Sequence, residues 1–146
     1  MARRIQFKVT GDDKLRIKFK DLEGLDMSKP LAESCNLVRR SAVLYCPADT
    51  GRLRRSIIVL DHYPNENAGT VVADTHYAPY VEFGTGLFAA AGNGRKDVPW
   101  RYQDEKGEWH TTIGQHPQPF MHPALEHNKE NIKRIFQQYF GEKLAK

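Results

Sequence analysis

The sequence predicts an α+β domain. A small antiparallel sheet packs against a long helix and a C-terminal helix, and an extended loop and hairpin stand out from that body. Three observations predict this class. Residues 28 to 45 carry apolar side chains at helical spacing and run up to Pro47. The runs SIIVLDHY and TVVADTHY, joined by the turn-rich PNENAG, read as a hairpin. Ile132, Ile135, Phe136, Tyr139 and Phe140 form an apolar stripe near the end of the chain. At 146 residues the chain has the length of a single domain with one core, spanning 1–146.

Taken in order, residues 5 to 9 (IQFKV) alternate apolar and polar and predict a half-buried strand. Residues 15 to 19 (LRIKF) read as a second strand or as the start of a helix, after a turn at Gly11-Asp12-Asp13. The first long helix spans 28 to 45, with Ser28 as its N-cap. Leu31, Cys35, Val38, Ala42 and Tyr45 share one face, and Glu33, Asn36, Arg39 and Arg40 take the other. Pro47 stops it, because the residue before a proline is pushed out of the α region.

In ADTGRLRRSI, Asp49 and Thr50 are good capping types and Gly51 tolerates a tight backbone, so a short helical turn through Arg54 is expected. Strands over 56–63 and 70–77 follow, with the loop 64–69 between them. In APYVEFGTG (78 to 86), Pro79 suits a first helical position and Gly84 the position past a helix end. Tyr80 and Phe83 share a face and are expected to pin this single turn to the core. Residues 86 to 118 form a mobile loop and a hairpin insertion: Trp100 and Tyr102 lie on one arm, Trp109 and Thr111 on the other, and residues 104 to 107 make the turn. The last helix runs from about Pro123 to Leu144, with Lys129, Glu130, Lys133, Arg134 and Gln137 toward water.

Charge and composition narrow the function. The net charge is +4, which permits contact with nucleic acid without demanding it. No run of about 18 apolar residues exists, so no membrane span is expected, and MARRIQFKVTG lacks the apolar core of a secretory signal. The chain is expected to stay in the cytosol of the cell that makes it. Cys35 and Cys46 lie on one helix, roughly 16 Å apart along its axis at ~1.5 Å per residue. A disulfide needs Cα atoms within about 7 Å, so both are expected as buried, reduced thiols.

The chemistry-bearing candidates read as structural. Gly84-Thr85-Gly86 precedes no helix pattern and has no Lys-Ser or Lys-Thr pair, so it is not a phosphate loop. Glu82 has no partner carboxylate at a suggestive spacing, and an ion pair with an arginine is expected. His110, His116, His122 and His127 match no zinc spacing, and no metal or cofactor is expected. No nucleophile elbow or Cys-His signature appears, which argues against an enzyme. Arg52, Arg54 and Arg55 make the densest basic cluster. Solvated or intrachain pairing, a subunit interface and a phosphate backbone all remain open for it. Trp100 and Trp109 suit interface anchors.

Three segments in order, CPADTGRLRRSI (46 to 57), HYAPYVEFGTG (76 to 86) and GQHPQPFMHPALEHNKENI (114 to 132), resemble the gene-ten-like tail-component family of long-tailed lambdoid bacteriophages. These are neck or tail-completion proteins that join head to tail. The resemblance covers about residues 28 to 140, and WRYQDEKGEWHTTIGQ resembles the hairpin that many members carry. It implies a non-enzymatic structural protein of the virion, placed at the neck or tail top and assembled in the host bacterial cytoplasm. It implies a homo-oligomeric ring, hexameric by analogy with related tail-end proteins, that meets head-closure and tail proteins. DNA would pass through the ring without sequence-specific binding.

On this resemblance Asp49, Thr50 and Gly51 turn the chain from the long helix into the sheet. Tyr77, Tyr80, Glu82, Phe83 and Gly84 form a joint into the exposed loop, and Pro119, Phe120 and Pro123 seat the last helix. Arg52, Arg54 and Arg55 are the expected subunit interface. The competing expectations are a tail terminator that caps the tail tube, a DNA-binding module, and a metal-dependent hydrolase using the C-terminal-half histidines.

Overall fold

The structure is a computed structural model that describes residues 5–10, 26–60, 68–104 and 106–144. A three-stranded antiparallel sheet is built from β1 (Ile5–Thr10), β2 (Ile57–Leu60) and β3 (Ala68–Ala73), in the spatial order β1-β3-β2. Helix α1 (Ser28–Tyr45) packs on β2 and β3 and also against α4 (Met121–Leu144). Two short helices, α2 (Arg52–Arg55) and α3 (Ala78–Phe83), make the corners. Strands β4 (Trp100–Gln103) and β5 (Trp109–Thr112) form a separate two-stranded sheet. This is the expected α+β class, with the sheet, long helix, C-terminal helix and hairpin in the expected places.

The long helix forms where its periodicity predicts. Leu31, Cys35, Val38 and Ala42 are buried between the sheet and α4. Two details differ from expectation. Ser28 is the first helical residue rather than the cap, and its N–H donates to Asp26 Oδ1 at 2.9 Å, so Asp26 supplies the acceptor. Tyr45 is 43% exposed, because its hydroxyl reaches outward to His127 Nδ1 on α4 at 3.1 Å. Its polar tip selects the rim over the core.

Strand β3 starts at Ala68, two residues before the sequence pattern suggests. Gly69 lies in the strand because α1 crosses it closely: a Cβ there would sit 2.2 Å from Cys35 Sγ. A glycine inside a strand marks such an approach. The strand ends at Ala73, and β2 covers Ile57–Leu60 of the longer run 56–63. Their pairing places Ile57 opposite Ala73 and Leu60 opposite Thr70, as a hairpin requires. The expected strand or helix at 15–19, its preceding turn and most of the loop 64–69 lie outside the described residues. Cys35 and Cys46 are both free and buried, and burial pushes both thiols above their ordinary pKa.

Candidate functional site

Glu82 organises the centre of the molecule. Ala78, Val81 and Glu82 form the inward face of α3, and Glu82 is only 2% exposed. Its carboxylate meets three backbone N–H groups at the start of α4. Oε2 accepts from Phe120 at 2.8 Å and Met121 at 3.0 Å, and Oε1 accepts from His122 at 2.9 Å. The first four N–H groups of a helix have no intrahelical partner. In α4 these belong to Phe120, Met121, His122 and residue 123. Glu82 takes three, and Pro123 carries no N–H at all. The first turn of α4 contains no acid of its own, so this carboxylate, 38 residues upstream of Phe120, is the helix cap. The expected ion pair between Glu82 and an arginine is therefore corrected to a tertiary cap. The cap also starts α4 at Met121, two residues before the expected Pro123.

The segment after α3 is laid along the segment before α4. Gln118 N–H donates to Val81 O at 2.8 Å, and Thr85 N–H to Gln115 O at 2.9 Å. Gln115 N–H returns to Thr85 Oγ1 at 3.0 Å, and Leu87 N–H donates to Ile113 O at 3.1 Å. Phe88 and His116 stack at 3.8 Å between ring centroids. Gly84 has φ +71, and a Cβ there would lie 2.7 Å from Gln115 O. Gly84-Thr85-Gly86 is thus a backbone-on-backbone contact, and a 3-10 turn of residues Gly86–Phe88 follows it.

The first motif closes the joint from the other side. Gly51 has φ +76 and opens α2, and Thr50 Oγ1 accepts from Arg52 N–H at 3.4 Å. Arg54 is half-buried and places Nε and Nη2 on the single carbonyl of Cys46, at 3.0 and 2.8 Å. That carbonyl lies at the α1 C-terminus, where a cation is favoured. Of the proposed basic interface, Arg54 is therefore an intrachain brace. Arg52 and Arg55 are exposed, and Arg55 Nη2 reaches Thr50 O at 3.5 Å. Burial raises the Cys46 thiol most, the neighbouring Arg54 opposes this, and Glu82 adds to the rise.

A cleft of about 480 Å³ opens where the three motifs meet. Asp49 and Arg52 come from the first, Tyr77 and Val81 from the second, Gln115 and Gln118 from the third. Asp49 is exposed and makes no hydrogen bond or ion pair among the described residues. Phe120 is fully buried at the root of α4, while Pro119 is exposed.

Tyr80 and Phe83 do share a face of α3, but that face points to solvent. They are 56% and 48% exposed. The expectation that they pin the turn to the core is corrected: Ala78 and Val81 do so, because the inward side is committed to the Glu82 cap. In the hairpin, Trp100 is half-buried under Arg95, with the guanidinium 5.4 Å from the ring centroid. Trp109 is 61% exposed, with Arg101 5.1 Å above it. The turn is closed by Asp104, whose Oδ1 accepts from Lys106 and Glu108 N–H, both at 2.9 Å. Asp104 Oδ2 lies 2.9 Å from His110 Nε2, and this contact holds the Asp104 carboxyl below its usual pKa. Asp104, Glu108 and His110 lie close enough to surround an ion, yet both Asp104 oxygens already close the turn. The other histidines are dispersed: His116 stacks on Phe88 and His127 meets Tyr45.

Comparison with family models, with curated proteins and with solved structures finds no match to this chain. No described helix is long and apolar enough to cross a membrane. The role of Glu82 was the main feature missed from sequence. The signal was present: the residue before α4 is a phenylalanine, the first turn of the helix has no acid or hydroxyl, and so its N–H groups need an acceptor from elsewhere.

Proposed function

We propose that this chain is a non-enzymatic structural subunit of a tailed bacteriophage virion, a neck or tail-completion protein that joins head to tail as a member of a ring. One observation carries the reading. The three motifs that resemble the gene-ten-like tail-component family, separated along the chain, meet in one joint whose residues serve backbone geometry rather than reaction chemistry. Glu82 caps a helix, Arg54 braces another, and Gly51 and Gly84 turn the chain. Around this joint the molecule turns Tyr80, Phe83 and Trp109 outward. Large exposed aromatics of this kind are common at protein–protein interfaces. The DNA-binding alternative loses Arg54, which is spent inside the chain.

The test is an amber mutation in this gene within its phage, followed by electron microscopy of the lysate. Filled heads beside separate tails of normal length support a joining role at the neck. Tails of uncontrolled length would move the protein to the tail terminator. Normal infectious particles would refute a morphogenetic role.

A further inference from the structure

We infer that Trp109 of one copy seats in the cleft of a second copy, with Arg101 beside it meeting Asp49; the inference rests on the ring reading above and assigns its faces. Trp109 stands on the outer face of the hairpin and is 61% exposed. A two-stranded sheet is marginal on its own in water, so a large indole presented from its open face needs a partner surface. Among the described residues, Arg101 is the one side chain placed against the ring. Trp109 opens strand β5, which ends three residues later at Thr112, about 10 Å on at ~3.3 Å per residue, and Gln115 at the cleft lies beyond that end. Pairing of β5 with β4 prevents that strand from folding back.

The cleft has the matching chemistry. Its volume of about 480 Å³ exceeds an indole, and Pro47, Leu53 and Val81 give it apolar wall. Gln115 and Gln118 line it, and a glutamine side chain offers an amide oxygen to an indole N–H, which can only donate. Charge completes the fit. Arg101 lies 5.1 Å over the Trp109 ring and travels with it, while Asp49 at the cleft has no partner among the described residues. Indole and cleft are different surfaces of one chain, so two copies that exchange them reciprocally close a two-fold pair, whereas the one-way contact inferred here is heterologous and its repetition closes a ring or extends a filament.

Sedimentation velocity of the full-length chain over a concentration series tests this. Replacing a central aromatic anchor is expected to weaken association about 30-fold, so Trp109→Ala shifts the assembly curve by that factor. Asp49→Arg and Arg101→Glu each weaken assembly, and the two changes combined restore it. A mixture of Trp109→Ala chains, whose cleft is intact, with Ala48→Trp chains, whose cleft is filled, stops at pairs. All these positions are exposed, and unchanged circular dichroism confirms that each variant folds. A Trp109→Ala chain that assembles like the wild type, a double charge reversal without rescue, or a wild-type chain that stays monomeric throughout would each overturn the assignment. None of these outcomes decides the head-to-tail joining role, which the amber lysate reads separately.

Discussion

Replacing Glu82 by glutamine keeps the shape of the side chain and removes the second acceptor. The wild-type carboxylate receives Phe120 and Met121 on Oε2 and His122 on Oε1. A glutamine oxygen placed at Oε2 still accepts two of these donors, but its NH2 then faces the His122 N–H. One charge-assisted bond, about 1.5–3 kcal/mol, is lost outright. The two that survive become neutral and drop to roughly half their strength. The amide is less costly to bury than the carboxylate, which offsets part of this. The expected net loss is about 2–3 kcal/mol. In a domain of this size each 1 kcal/mol moves Tm by about 2–4 °C, so the shift is roughly 4–12 °C downward. Glu82→Ala leaves three donors without an acceptor and opens a cavity. Its expected loss of about 4–7 kcal/mol approaches the whole stability of many domains. Thermal unfolding by circular dichroism reads both. Hydrogen exchange locates the effect, with the amides of Phe120, Met121 and His122 losing protection first. A Glu82→Gln chain that melts within 2 °C of the wild type, on the order of 0.5–1 kcal/mol, would refute the tertiary cap.

Gly69→Ala places a methyl 2.2 Å from Cys35 Sγ, and overpacking of this kind costs about 1–3 kcal/mol. Adding Cys35→Ala removes the clash, since the next neighbours lie at 3.6 and 3.8 Å. Urea denaturation should therefore find the double variant more stable than Gly69→Ala alone, and additive effects would refute the contact. At the hairpin tip, the Asp104 pKa is lowered by its contact with His110 and by the Glu108 and Lys106 amides. The order these contacts bring is complete above about pH 4, the unfolded pKa of Asp, and is lost as pH falls through the lowered native value. NMR shifts of the Lys106 and Glu108 amides should titrate with a midpoint below 3.8, and a midpoint at or above it would contradict the geometry. Both thiols are buried with raised pKa, so a thiol reagent at pH 8 should modify the native chain at least ~100-fold more slowly than the unfolded one. Rapid labelling of Cys35 under native conditions would refute its burial against Gly69.

What could be read from the sequence was what local periodicity controls. The face of α1 from Leu31 to Ala42, the antiparallel pairing of β2 with β3 (though not its register, which sets Ile57 opposite Ala73) and the two arms of the second hairpin all follow from spacing and turn residues. What escaped depends on contacts between distant segments. Gly69 looked like the end of a turn because a glycine in a strand is explained only by the helix that crosses it. Arg54 looked like an interface residue because its acceptor, the Cys46 carbonyl, is a backbone group that no side-chain pattern reveals. Glu82 was sought among arginines for the same reason: its three partners are amides, invisible to a search for charged residues.

Helix α3 inverts the usual distribution of side chains, and the two halves of that inversion have different causes. A carboxylate turned inward is explained by folding, because α4 begins with donors that nothing local can satisfy. Aromatics turned outward are not explained by folding: Tyr80 and Phe83 bury little within this chain, and two polar residues there would leave the cap and the Ala78–Val81 contact untouched. When local structure, core and capping are all satisfied and a side chain still breaks the pattern, the breach points to a requirement outside the single chain. The same holds for Trp109 on the hairpin. The joint is fixed from within by backbone contacts, and Tyr80, Phe83 and Trp109 take no part in fixing it, which is what the proposed assembly requires of them.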